Sequence, residues 1–335
     1  STVNIGYESS GTGSGVVEFI NGTILTNVGV QDFYVARSGV SSYGRFVATN
    51  VPGVAVNFFI SNNFYVVNDG GVGEFRLDAG GGNFYHNPDG GNDQNFTVGD
   101  GNNTVGGSGY FLLTNFQNFT SGDTTSDNGS DMRIGAEGNP GSIATGIVTF
   151  AKGSNWQYRG NNWGLGMDDG AHGELHFNMV SNITILNNAG SVIGYDSNAV
   201  GIMDLQNGSY IRDWFVNGEL SIGRYNLGYG RVQVLDDSSG LARLRVSGNL
   251  YVGCDNGRGY FVVTNGINTA WYLSMTNEIG VGGNGGAAGY GEMLLDMKGG
   301  GVHFNADGGG NNLHIGHGNE TIGATGRMEI ANFEN

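Results

Sequence analysis

A few groups in this 335-residue chain are of a type and spacing that could do chemistry: two aspartate pairs, one histidine pair, a recurrent acid and a lone cysteine. Asp168-Asp169 and Asp236-Asp237 invite a glycosidase reading, in which two facing carboxylates act as acid and base or nucleophile. Neighbours in a loop point different ways, so neither pair satisfies that geometry. Lyase chemistry needs a basic residue beside a bound cation, and no cluster of Arg, Lys and Asp on one face can be picked out. His314-x-x-His317, with Glu320 nearby, has the residue types of a metal site. His314 falls at the outward position between Leu313 and Ile315, however, and His317 begins a loop, so two exposed histidines are expected. The segment GGNDQNFTVGDGNNTVGGSG (90–109) has the composition of calcium-binding nonapeptide repeats but lacks their Asp at a fixed short period.

The acid series is more regular. Glu8, Asp69, Glu137, Asp168, Asp196 and Asp255 each stand two residues after a small residue that ends an apolar–x–apolar stretch. If those stretches stack in register, the carboxylates form a column with steps of ~5 Å, where like charges repel unless water, loop geometry or a cation relieves them. Calcium held by carboxylate and carbonyl oxygens is the one cofactor expectation; the alternative is that Asp and Glu serve polar turns. Cys254 is the only cysteine. It cannot make an intramolecular disulfide and is expected as a free thiol in a loop. Of the Asn-x-Ser/Thr sequons, Asn21, Asn95, Asn118 and Asn182 among them, most are accidents of an Asn- and Thr-rich composition.

What positions these groups is a repeat. SIGRYNLGYGRVQV (221–234) and LYVGCDNGRGYFVV (250–263) share one pattern: apolar–x–apolar–Gly, a polar loop, then Gly–x–apolar–x–apolar. The same pattern runs through the chain in copies beginning near 3, 33, 64, 96, 132, 163, 191, 220, 250, 277 and 313. Its first anchors are Gly6, Ala36, Val67, Gly99, Gly135, Gly166, Gly194, Gly223, Gly253, Gly280 and Gly316. Its second glycines run from Gly15 and Gly44 to Gly291 and Gly326, each followed by apolar residues at +2 and +4. Alternation of this kind is the strand period, with one face buried and one wet. A third strand fits between copies, at VAVNFF (54–59), ITIL (183–186), WYL (271–273) and VHF (302–304).

The reading is an all-β, single-stranded parallel β-helix of about eleven rungs of ~30 residues, three short strands each, over 1–335 as one domain. A sandwich of regularly spaced hairpins is the alternative. In SIGRYNLGYGRVQV, Ile222, Val232 and Val234 are expected inside, and Arg224, Tyr225 and Arg231 in water.

Composition bounds the function. With 65 Gly but only three Pro and no Gly-X-Y period, collagen is excluded. The 18 Phe and 15 Tyr argue for a packed core rather than disorder. A net charge of −16 disfavours nucleic acid and anionic membranes as partners. With only 13% charged residues, the wet surface must be mostly Asn, Ser, Thr and Gly, as in extracellular β-rich proteins.

The copies IGYESSGTGSGVVEFINGT (5–23), IGAEGNPGSIATGIVTF (134–150) and IGHGNETIGATGRMEI (315–330) resemble the glycine-rich passenger repeats of bacterial autotransporter adhesins and related secreted surface proteins. That resemblance covers essentially the whole chain. It implies a right-handed coil displayed outside the cell, adhesive or matrix-forming. The chain departs from the family in lacking a C-terminal membrane barrel.

Neither end of the chain shows a capping helix or a lysine guard. Val3 and Ile5 at one end, and Met328, Ile330 and Phe333 at the other, are therefore expected to meet head to tail. The leading expectation is a non-enzymatic extracellular structural protein whose rods stack into a filament or surface fibre. An adhesin segment binding glycans or proteins is the alternative, and a polysaccharide-active enzyme the third reading.

Overall fold

In a computed structural model of the chain, residues 1–7, 12–20, 25–37, 41–49, 53–88, 94–101, 106–122, 130–136, 142–236, 239–265, 268–275, 278–284, 288–304, 312–317 and 323–333 are described. Every regular element among them is a β-strand, and no helix is long and apolar enough to cross a membrane. All the strand pairings are parallel, between strands roughly thirty residues apart, and the chain is a β-solenoid. Hairpins pair antiparallel, so the sandwich alternative falls.

The strands that start at the second glycine form one 11-stranded sheet, from Ser14–Phe19 to Thr325–Ala331. Its register sets glycine on glycine from Gly15 and Gly44 through Gly230 and Gly259 to Gly291 and Gly326. The reason for glycine is space. A Cβ added at Gly230 would lie 2.2 Å from both Gly223 N and Ile193 O, so only hydrogen fits where this strand crosses the preceding corner. The apolar residues at +2 and +4 point inward: Phe75, Leu77, Val148, Phe150, Val232 and Val234 are buried.

The remaining described strands make two further parallel ladders, joined into one 19-stranded sheet. They join because Asn155–Leu165 and Ile183–Ile193 each run from one ladder into the other without a break. A bulge between Gly160 and Asn162 turns that corner. There the single Tyr158 Oη–H lies between two carbonyl acceptors, Ser130 O at 2.8 Å and Asn162 O at 2.5 Å. The next corner is closed by Asn187, whose Nδ2 donates to Ser191 Oγ at 3.0 Å while its Oδ1 accepts the Ala189 N–H at 3.0 Å.

Ten of the eleven expected first anchors sit at positive φ, Ala36 (59°) and Val67 (80°) included. The tenth copy is a correction. Its corner is Gly282 (φ 77°), not Gly280, because Val281 pairs with Val252 and Gly280 with Tyr251. At Gly282 a Cβ would meet Thr325 O at 2.0 Å, the same backbone approach that fixes the other corners.

The core is aromatic in its N-terminal half. Phe58, Phe84, Phe119 and Trp156 stack in one column, with successive centroids 5.4, 5.5 and 5.4 Å apart. A second column carries Phe46, Phe75 and Phe111 at 4.9 and 5.2 Å, and a third Phe33, Phe64 and Phe96 at 6.0 and 4.9 Å. Rings of different columns meet edge-on, as in Phe64–Phe75 at 89°, the geometry that the ring quadrupole favours. Past Trp214 the described core is largely aliphatic, with Leu220, Ile222, Val232, Leu244, Val252 and Leu295 buried.

Candidate functional site

The strands NVGV (27–30), NFFI (57–60), NFYH (83–86), NFTS (118–121) and NWQY (155–158) open on an asparagine, and NITI (182–185) brings one just before its strand. In each, the residue after Asn is apolar and faces inward; Phe58, Phe84, Phe119, Trp156 and Ile183 are buried. Strand alternation therefore turns the asparagine outward, and the parallel register sets one amide above the next. Asn57, Asn83, Asn118, Asn155 and Asn182 each donate from Nδ2 to the Oδ1 of the preceding asparagine, beginning at Asn27. The distances are 3.1, 2.8, 2.7, 3.0 and 3.3 Å. A carboxamide has two N–H groups and two carbonyl lone pairs. The column uses one of each at Asn57, Asn83, Asn118 and Asn155 and leaves a second N–H and a second lone pair of each outside it.

Two residues along from Asn57 and Asn83 stand Phe59 and Tyr85, stacked with centroids 5.1 Å apart and planes 21° apart. Phe59 is 40% exposed. Its partner on the opposite side is Gly29, where an added Cβ would meet nothing within 4 Å. Shallow grooves flank the pair. One of about 330 Å³ is bordered by Gly29, Gln31, Phe59 and Ser61, and one of about 590 Å³ by Asn57, Phe59, Asn83, Tyr85 and Pro88.

The acid series fares differently. Glu8 and Glu137 lie outside the described residues. Asp196 Oδ1 accepts the N–H of Ser197 at 2.8 Å, and Asp169 Oδ1 accepts the same N–H at 3.1 Å. Asp69 is at positive φ, 64°, and Asp168 O accepts the Ala171 N–H at 2.9 Å. Asp255 is held by Arg224, whose Nε donates to Oδ2 at 2.6 Å. Among the described residues, no three His, Cys, Asp or Glu side chains converge as a metal would need. Asp237, Glu320 and much of segment 90–109 also lie outside the described residues.

His317 ends a strand, Leu313–His317, instead of beginning a loop. Its ring stacks on that of His314 at 4.5 Å, and His314 Nε2 is 3.9 Å from Glu278 Oε1. Cys254 is a buried free thiol, and burial pushes its pKa up to about 12, so it is a poor nucleophile. At the two ends, Ile5 is buried, Val3, Met328 and Ile330 are partly buried against the core, and Phe333 is 57% exposed.

Arg224 is the clearest correction to the sequence reading. Expected in water, it is 9% exposed. Burial alone would push its guanidinium pKa down; ion pairs with Glu219 and Asp255 outweigh that and raise it, so the group stays charged. The guanidinium also lies 4.1 Å from the Tyr251 ring centroid and 4.5 Å from that of Tyr225. Other charged groups pair along the 11-stranded sheet. Arg45 bridges Glu18 and Glu74, and Arg231 reaches both oxygens of Asp204 at 2.8 and 3.0 Å.

The Asn column with its aromatic pair is thus the arrangement best suited to meet a ligand, and the acids and histidines picked out by type mostly serve loops and pairs. No family model, curated protein or solved structure matches this chain.

Proposed function

We propose that the chain is a non-enzymatic structural rod, built of about eleven right-handed coils of three short strands each, which stacks end to end into an extracellular fibre. One observation carries this reading: the 11-stranded sheet repeats a single register, glycine on glycine with inward apolar residues at +2 and +4, at every pairing from Gly15–Gly44 to Gly291–Gly326. Both outer strands carry Gly–x–apolar–x–apolar in the register by which every interior pair is matched. The edge of Thr325–Ala331 therefore complements the edge of Ser14–Phe19 as neighbouring strands inside the stack complement each other. A contact of two different surfaces does not close on itself, so it propagates. Pairing of charged side chains along the sheet supports a structural role over a catalytic one, and the Asn-, Ser- and Gly-rich surface supports life outside the cell.

Sedimentation velocity across a wide concentration range, with electron microscopy of the same samples, tests the proposal. The expected result is rods that lengthen with concentration in multiples of one unit, and Ile330→Asp is expected to hold the chain at one unit. A particle of constant size at the highest concentration would overturn it.

A further inference from the structure

We propose that the outward face around Phe59 binds a neutral pyranose oligosaccharide, lying along the column of asparagines. The starting point is Gly29. Its φ is not in the left-handed region and an added Cβ would enter open space, so neither backbone conformation nor crowding calls for glycine there. Its effect is on Phe59, its partner across the ladder. One face of the Phe59 ring is covered by Tyr85; on the other side its ladder partner Gly29 carries no side chain, and the ring borders a groove of about 330 Å³.

A bare aromatic face beside polar groups is the combination that a pyranose needs. The sugar's C–H face packs on the electron-rich ring face, while its hydroxyls project sideways in search of donors and acceptors. Asn57 and Asn83 border the adjoining groove of about 590 Å³. Each has a second N–H and a second lone pair outside the column, repeated at the ~4.8 Å spacing of parallel strands. Gln31 and Ser61 border the first groove.

Neutrality follows from charge. The stretches NVGVQ (27–31), NFFIS (57–61) and NFYHN (83–87) contain no Asp, Glu, Lys or Arg, and the chain as a whole carries −16. A polyanionic saccharide would be repelled by that net charge, and the Ser1 ammonium that borders the first groove is already engaged by Gln31 Oε1 at 2.8 Å. A single ring face flanked by amides is also unlike the broad apolar patch that a protein or lipid partner requires. The inference does not depend on end-to-end stacking.

The test is calorimetric titration of the whole chain with cellohexaose, N-acetylchitohexaose and hexagalacturonate. One neutral hexamer is expected to bind and hexagalacturonate is not. Phe59→Ala should weaken the neutral hexamer by at least ~tenfold. Gly29→Leu should weaken it similarly by covering the bare face, with an unaltered unfolding midpoint because it fills open space. Tyr260→Ala, in the other sheet, should leave binding unchanged. The proposal is overturned if neither neutral hexamer binds, if hexagalacturonate binds as well as they do, or if Phe59→Ala and Gly29→Leu leave binding intact.

Discussion

Arg224 Nε donates to Asp255 Oδ2 at 2.6 Å, linking corners thirty-one residues apart in sequence, and the same guanidinium pairs with Glu219. The side chain of Asp255 is 17% exposed and that of Glu219 30%, so solvent screens the pair only in part. Removing Arg224 leaves Asp255 and Glu219 without their shared cation. Arg224→Met is expected to cost about 2–3 kcal/mol, the lower side of the range for a broken buried pair. Arg224→Lys should recover part of this, since an ammonium cannot bridge both carboxylates with a planar fork. Urea midpoints of the three proteins check the order; equal midpoints would show that the pair contributes nothing.

Gly230 faces Gly223 N and Ile193 O at distances no Cβ can share. Both obstacles are backbone, so no rotamer change relieves them, and the strand must lift from its neighbours at Gly201 and Gly259. Gly230→Ala is expected to destabilise by on the order of 4 kcal/mol or more, seen as lost soluble yield or a collapsed unfolding midpoint. Gly29→Ala, where space is open, should change stability by no more than about 0.5 kcal/mol.

Those glycines also show what the sequence made legible. The second glycine and its +2 and +4 apolar residues recur because backbone crowding and an apolar interior act at every level of the stack, so the pattern survives whatever the loops do. The first anchor is less sharply written. IGVGG (279–283) offers three glycines, and only the corner conformation separates Gly282 from Gly280. Arg224 looked solvated because its own loop is polar; its partners Asp255 and Tyr251 come from the next level, which no local pattern reports. The asparagine column escaped notice because its intervals are 30, 26, 35, 37 and 27 residues. Apolar content alone marks its strands in the sequence without revealing the asparagine they share. Aligning them on the Asn that precedes the first inward residue would have found it, with Asn118 and Asn182 as members instead of accidental sequons.

Asn83 donates to Asn57 at 2.8 Å and accepts from Asn118 at 2.7 Å. A hydrogen bond of this kind contributes about 1 kcal/mol net, so Asn83→Ala is expected to cost about 1–2 kcal/mol. Asn155 has longer bonds, 3.0 and 3.3 Å, in more exposed surroundings, and Asn155→Ala should cost less than Asn83→Ala. Chemical unfolding of both variants decides it. The reverse order would mean that the column is a surface decoration without energetic weight.

His86 gives the fold a dependence on acid. Its ring is fully buried, with Nδ1 2.8 Å from Ser121 Oγ and the ring edge-on to Phe96. Burial lowers its pKa from 6.5 to about 4. The unfolded chain therefore takes up a proton near pH 6.5 that the folded chain refuses until about pH 4. The neutral-His contribution is fully present above the unfolded value, falls as pH drops through that window, and levels off below it, a loss of roughly 3 kcal/mol in all. In His86→Asn, whose amide can still reach Ser121 but does not titrate, that component should disappear. The measurement is the drop in urea midpoint between neutral pH and the bottom of the window, compared for the two proteins. Carboxylates contribute equally to both, so equal drops would place the acid sensitivity elsewhere.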